Sequence, residues 1–192
     1  MEESVVKRSF LILYGLGGSG PDHWQSWLAR GLSARGETVH YPSLPNPDHP
    51  DKNQWLDSLA QSIGAIPADE ELTVVAHSLA CILWFHHAAQ GVQRKAERVF
   101  LVAPPSVHTK LDEVASFFPV PDRLEEVQHA AAQTLLIQSS TDPYCTLEDS
   151  LVYQRMGVPS LTLPDMGHIN IASGYGPWEW ILKLCLNGSP IL

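Results

Sequence analysis

Val74-Val75-Ala76-His77-Ser78-Leu79-Ala80-Cys81 is an apolar, β-branched run that breaks at a His-Ser pair and resumes with helix-forming residues. Residues 72–76 carry the pattern of a buried strand and residues 79–90 that of an apolar helix, so Ser78 falls on a strand-to-helix turn. A serine on such a turn is a candidate nucleophile. The turn is tight, and the motif places glycine two residues before and two after the serine. Here both positions hold alanine, Ala76 and Ala80, the next smallest residue. The competing reading is a serine that merely caps a helix, and the rest of the chain separates the two.

Outward from this turn, short apolar runs alternate with longer amphipathic stretches, the pattern of a mostly parallel sheet covered by helices. Strands are expected at residues 8–14, 37–41, 72–76, 98–103, 134–139 and 160–163, and helices at 22–34, 52–63, 79–90, 123–131, 147–156 and 178–186. Six strands with intervening helices use up the 192 residues, which predicts one domain over 1–192 with no inserted cap. Two connections break the alternation. Residues 42–50 contain four prolines and should form a rigid, extended loop. Residues 103–121 form a long aromatic-bearing link. Both leave carboxyl ends of strands, where ligands bind in doubly wound sheets, so both are expected in the pocket wall.

A nucleophilic serine needs a base to take its proton and a carboxylate to orient that base. Asp142 follows the strand run Leu135-Leu136-Ile137-Gln138-Ser139, and His168 follows the last strand in Pro164-Asp165-Met166-Gly167-His168. Ser, Asp, His after successive strands is the chain order of the α/β-hydrolase fold. Asp149 and Asp165 are rival acids, but Asp165 lies too near His168 in the same loop to orient its ring. The developing oxyanion calls for two backbone N–H groups. Leu79 supplies one, and the loop Tyr14-Gly15-Leu16-Gly17-Gly18-Ser19-Gly20 the other, from Leu16 or alternatively Gly17. Gly15, Gly17 and His23 are the candidate substrate contacts. The same glycines match a dinucleotide-loop pattern with Glu37 as its acid, but that pattern alone is weak. His77 reads as structural or pocket-lining, Trp24, Trp27, Trp178 and Trp180 as packing, and Cys81 as core filler.

These residues reach a family. "GLGGSGPDHWQSW" from Gly15, with "AHSLAC", "SSTDPYC" and "PDMGHIN…GYGPW", resembles the small, lidless serine hydrolases that include the retinoblastoma-binding-protein-type hydrolases and their bacterial relatives. The motifs run from residue 14 to Trp178. The resemblance implies an α/β-hydrolase fold without a cap, Ser78, Asp142 and His168 as triad, and esterase-like activity on a small ester, thioester or amide. Ala80, where the family usually has glycine, and Tyr14, where many α/β-hydrolases have histidine, are departures.

Bulk properties exclude other classes. Twelve Lys and Arg against twenty-one Asp and Glu give a net charge of −9, which disfavours a nucleic-acid partner. The start Met1-Glu2-Glu3-Ser4 is acidic where a secretory signal is basic, and the apolar run at residues 10–14 is too short to span a bilayer, so a cytoplasmic location and no membrane partner are expected. Cys81, Cys145 and Cys185 have neither disulfide nor metal spacing, and the nine histidines form no H-E-x-x-H, so neither a metal nor another cofactor is expected. The expected partner is a small-molecule substrate. The alternative is a non-catalytic binding protein on a hydrolase scaffold. A cofactor-free oxidoreductase or perhydrolase using the same three residues also stays open.

Overall fold

The computed structural model describes residues 6–187; the acidic start at residues 1–4 lies outside them. Six strands, β1 (Arg8–Leu13), β2 (Thr38–His40), β3 (Glu71–His77), β4 (Ala96–Val102), β5 (Ala131–Ser139) and β6 (Ser160–Leu163), form one sheet in the order β2-β1-β3-β4-β5-β6. Every neighbouring pair is parallel. Parallel strands buried on both faces read as continuous apolar runs, which is why "SFLIL" and "LTVVA" were legible as strands. Side chains alternate between two cores. Leu11, Leu13, Val74, Ala76 and Leu101 pack with α2 (Lys52–Gly64) and α3 (Leu79–Ala89). Phe10, Ile12, Val75, Phe100 and Val102 pack on the opposite face with α1 (Trp24–Ser33) and α5 (Glu179–Asn187). The result is an α/β-hydrolase fold with helices on both faces and, among the described residues, no cap domain.

Two expected helices come out differently. Residues 123–131 form a 3-10 segment, Leu124–His129, and β5 then starts at Ala131, where the sheet captures the chain by pairing it with Ala96. Residues 147–156 form a four-residue helix, α4 (Leu147–Ser150), that tightens into a 3-10 segment, Leu151–Met156. Buried Tyr153, whose hydroxyl donates to Pro105 O, and buried Met156 anchor that segment, and Gly157 ends it at φ 68°.

The carboxyl ends of β3, β4 and β5 are joined beyond their regular ladders. Ser78 N–H donates to Val102 O at 2.9 Å, and Ala103 N–H donates to Ile137 O at 2.8 Å. The turn after β3 is therefore stitched to β4, and β4 to β5, at the point where the sequence places its candidate residues.

Candidate active site

Ser78 adopts φ 56°, ψ −122°, a left-handed conformation that non-glycine residues reach only at a cost of about 1–3 kcal/mol. Its side chain makes no capping bond to α3, which removes the reading of Ser78 as an ordinary cap. Instead Oγ lies 2.8 Å from His168 Nε2. His168 Nδ1 lies 3.0 and 2.9 Å from the two oxygens of Asp142. A carboxylate only accepts, so Nδ1 carries the ring proton and Nε2 is the acceptor that faces the serine. Asp142 Oδ1 also accepts Tyr144 N–H at 2.9 Å, so the turn before Pro143 and the contact with His168 share one carboxylate. Asp142 and His168 are each 7 % exposed, which keeps water from competing for these bonds. Asp149 and Asp165 do not bond to the ring.

The glycine loop crosses directly above this turn. A Cβ on Gly15 would stand 2.9 Å from Ser78 Cβ and 3.1 Å from Leu79 N, so only glycine allows the approach. Ala76 and Ala80, which stand where the motif has glycine, are both buried in the core formed with α2 and α3. Among the described residues no acceptor takes the N–H of Leu16 or Leu79, whereas Gly17 N–H donates to Pro47 O at 2.8 Å. That bond turns Gly17 away, and it lines neither cleft at the site. Gly15 and His23 do line one. Gln25, fully buried, fixes the loop: its amide donates to Leu13 O at 2.8 Å and its carbonyl accepts from Ser19 Oγ at 2.8 Å.

The proline-rich loop at residues 42–50 is not a pocket wall. It stands behind the glycine loop, held there by Pro47 O, by both hydrogen bonds between Tyr14 OH and the Leu44 backbone, and by Trp55 Nε1–H on Pro45 O at 2.7 Å. Tyr14, the departure from the histidine usual there, is the pin. Residues 103–121 do reach the site, through Pro105, Leu111 and Val114.

Several site residues escaped the sequence reading. Three successive hydroxyls at the end of β5 and just beyond it accept three successive N–H groups of the loop that carries His168. Ser140 takes Asp165 (3.0 Å), Ser139 takes Met166 (3.0 Å) and Thr141 takes Gly167 (3.1 Å). On the far side of the base, His77 Nε2–H donates to His168 O at 3.0 Å and Trp24 Nε1–H to Ile169 O at 2.7 Å. Asp165, Gly167 and Ile169 all have positive φ, so the loop doubles back sharply and needs these ties. The only signal in the sequence was the hydroxyl run Ser139-Ser140-Thr141 before Asp142. The Tyr144 ring stands edge-on to His168 with centroids 4.6 Å apart.

Two further histidines pack beside the base, His77 5.1 Å from His168 and His23 5.3 Å from His77 between ring centroids. Burial first, and proximity to His168 second, lower His23 to about 4 and hold His77 well below the ordinary histidine value. Both stay neutral beside a ring that must be free to take a proton. Burial pushes the Cys81 thiol far up and Cys145 and Cys185 to about 12, so none is poised as a nucleophile. Among the described residues no three His, Cys, Asp or Glu side chains cluster as a metal site requires, and no helix is long and apolar enough to cross a membrane. The arrangement can move a proton from a serine hydroxyl to an imidazole held in one tautomer, beside two unengaged backbone donors.

Comparison with known proteins assigns the chain to a family. A serine hydrolase family model matches residues 10–187. YdeN of Bacillus subtilis (strain 168) is 37 % identical over 76 residues, 40 % of this chain, and the matched chain spans only 39 % of the length of YdeN. In structure, the B. subtilis ydeN gene product superposes with a TM-score of 0.81 at 20 % identity, covering 94 % of this chain and 98 % of the other. A YdeN-like protein from Pectobacterium atrosepticum gives 0.74 at 22 % identity over 94 % and 90 %. The thioesterase domain of the curacin biosynthetic pathway gives 0.66 at 16 % identity over 94 % and 91 %. With the family model spanning nearly all of its length, the chain belongs to the serine hydrolase family.

Proposed function

We propose that the chain, acting as one domain over residues 1–192, cleaves a small ester, thioester or amide through Ser78, His168 and Asp142 and an acyl-enzyme. The observation that carries this is the unbroken relay from Ser78 Oγ to His168 Nε2 at 2.8 Å and from Nδ1 to the Asp142 oxygens at 2.9 and 3.0 Å. Ser78 Oγ attacks the carbonyl carbon as its proton passes to His168 Nε2, and Asp142 stabilises the imidazolium that forms. The carbonyl oxygen, now an oxyanion, is met by the N–H groups of Leu16 and Leu79, which are free for it, whereas that of Gly17 is engaged. Collapse expels the leaving group, which takes the proton from His168. Water then attacks the acyl-enzyme with the same imidazole as base, and Ser78 is restored.

A non-catalytic role on the same scaffold draws no support from the site, because every member is present and in contact. A fluorophosphonate probe should add to Ser78, located by peptide mass spectrometry. Folded protein that stays unlabelled there, or labels equally well as Ser78→Ala, refutes the proposal.

A further inference from the structure

Two clefts of opposite character meet at Ser78, and both are lined by Leu16, Ser78, His168 and Asn170. One, of ≈ 210 Å³, is walled by Leu79, Pro105, Leu111, Val114 and Tyr144. The other, of ≈ 260 Å³, is walled by the glycine loop, His23 and His77. The two differ in whether they can hold water.

An acyl-enzyme mechanism ties the leaving group and the hydrolytic water to one place, because the same imidazole nitrogen protonates the first and deprotonates the second. That place has to suit water, which needs two to four polar partners when confined. The glycine-loop cleft supplies a fixed one. His23 Nδ1 caps α1 by accepting Gln25 N–H at 3.1 Å, so the ring proton is on Nε2. Among the described residues Nε2 has no partner, yet it is not sealed from solvent, and the ring lines this cleft. His23 is also neutral down to about pH 4, so it neither loses this donor nor opposes a charge on His168. The walls of the other cleft are mainly leucine, proline and valine; of its two hydroxyls, Thr109 already donates to Ser106 O at 2.7 Å and Tyr144 stands on a half-exposed ring.

Resting on the serine hydrolase reading above, we infer that the acyl group lies in the cleft of Leu79, Leu111 and Val114, and that the leaving group, then the hydrolytic water, occupies the glycine-loop cleft and accepts from His23 Nε2–H. The substrate is then an ester or thioester of an aliphatic acid, joined to a polar portion that carries a hydrogen-bond acceptor. At ≈ 210 Å³ the acyl cleft suits a short aliphatic chain rather than a long one.

The test uses 4-nitrophenyl acetate, butyrate, hexanoate and decanoate, which share one leaving group. kcat/KM should rise by about threefold to fourfold per added methylene as far as hexanoate and stop rising by decanoate. Leu111 is 47 % exposed, so Leu111→Trp can fill the cleft without disturbing the core, and it should cut the hexanoate-to-acetate ratio at least tenfold. His23→Asn keeps a capping oxygen but loses the distant donor; it should hold that ratio within twofold and slow deacylation, giving a burst of nitrophenol before a reduced steady rate. A ratio that Leu111→Trp does not move, or that His23→Asn moves, overturns the assignment while turnover itself continues. Absence of turnover together with absence of labelling at Ser78 overturns instead the hydrolase reading beneath it.

Discussion

Ser139→Ala should damage the site without touching any residue proposed to react. Ser139 is 2 % exposed, and its Oγ accepts two backbone N–H groups, from Met166 at 3.0 Å and Thr141 at 3.3 Å. Removing the oxygen leaves the buried Met166 N–H without a partner, at about 1–3 kcal/mol, and a smaller loss at the longer Thr141 bond. The sum is about 2–3 kcal/mol. In a domain of this size each kcal/mol moves the melting midpoint by about 2–4 °C, so the variant should melt about 4–12 °C lower. Met166 lies two residues before His168, and a shift of about 1 Å in a reacting group can cost up to about 10²-fold in rate. Ser140→Ala is the internal control. Its oxygen serves the exposed Asp165 N–H, where water can replace it, so it should cost less than about 1 kcal/mol. Thermal unfolding by circular dichroism, with ester hydrolysis on the same samples, reads both effects. If Ser139→Ala melts and turns over like wild type, or no worse than Ser140→Ala, the hydroxyl ties do not hold the base.

Asp142→Asn should fold normally, keep the Tyr144 bond and lower turnover by about 10⁴-fold, because an amide can no longer fix the His168 tautomer; full activity would reassign the acid. His77→Phe should lower kcat about tenfold with little change in KM by releasing His168 O, and His77→Gln, which offers an N–H in its place, should recover most of it; equal kcat in the two variants would make the contact mere packing. Acid should destabilise the fold through its buried histidines. His23 and His77 have folded pKa values below the unfolded value of about 6.5, so the unfolded chain binds more protons below that pH. Stability is complete above about pH 6.5 and falls as pH drops, by at most about 1.4 kcal/mol per pH unit for each histidine, with the His23 part levelling off below about 4. Urea midpoints at pH 7, 6 and 5 check this, and His23→Asn should flatten the decline.

Ser78, Asp142 and His168 were legible because each follows a strand, and strand ends are the one feature of this fold that apolar runs mark directly. The glycine loop was legible for the same reason. The ties among loops were not. Whether Ser139 faces the loop of Met166 depends on a pairing between segments well apart in sequence, and no local pattern encodes it. The place of residues 42–50 after a strand points to the pocket wall, but the phenol of Tyr14 draws them behind the glycines. The 3-10 segments at Leu124–His129 and Leu151–Met156 read as helices because their spacing is helical; what shortens them is the competing pull of β5 and of buried Tyr153.

β4 carries none of the proposed reacting groups, yet it acts as the ruler of the site. Ser78 N–H is held by Val102 O on one side, and Ala103 N–H holds Ile137 O on the other. With neighbouring strands about 4.8 Å apart, the serine turn and the strand leading to Asp142 are set roughly 10 Å from each other, a gap that the imidazole of His168, arriving from a third loop, has to bridge. One residue inserted into β4 ahead of Val102 would shift its register against both neighbours and displace the serine turn from the strand that leads to Asp142, with the serine, histidine and aspartate all chemically whole.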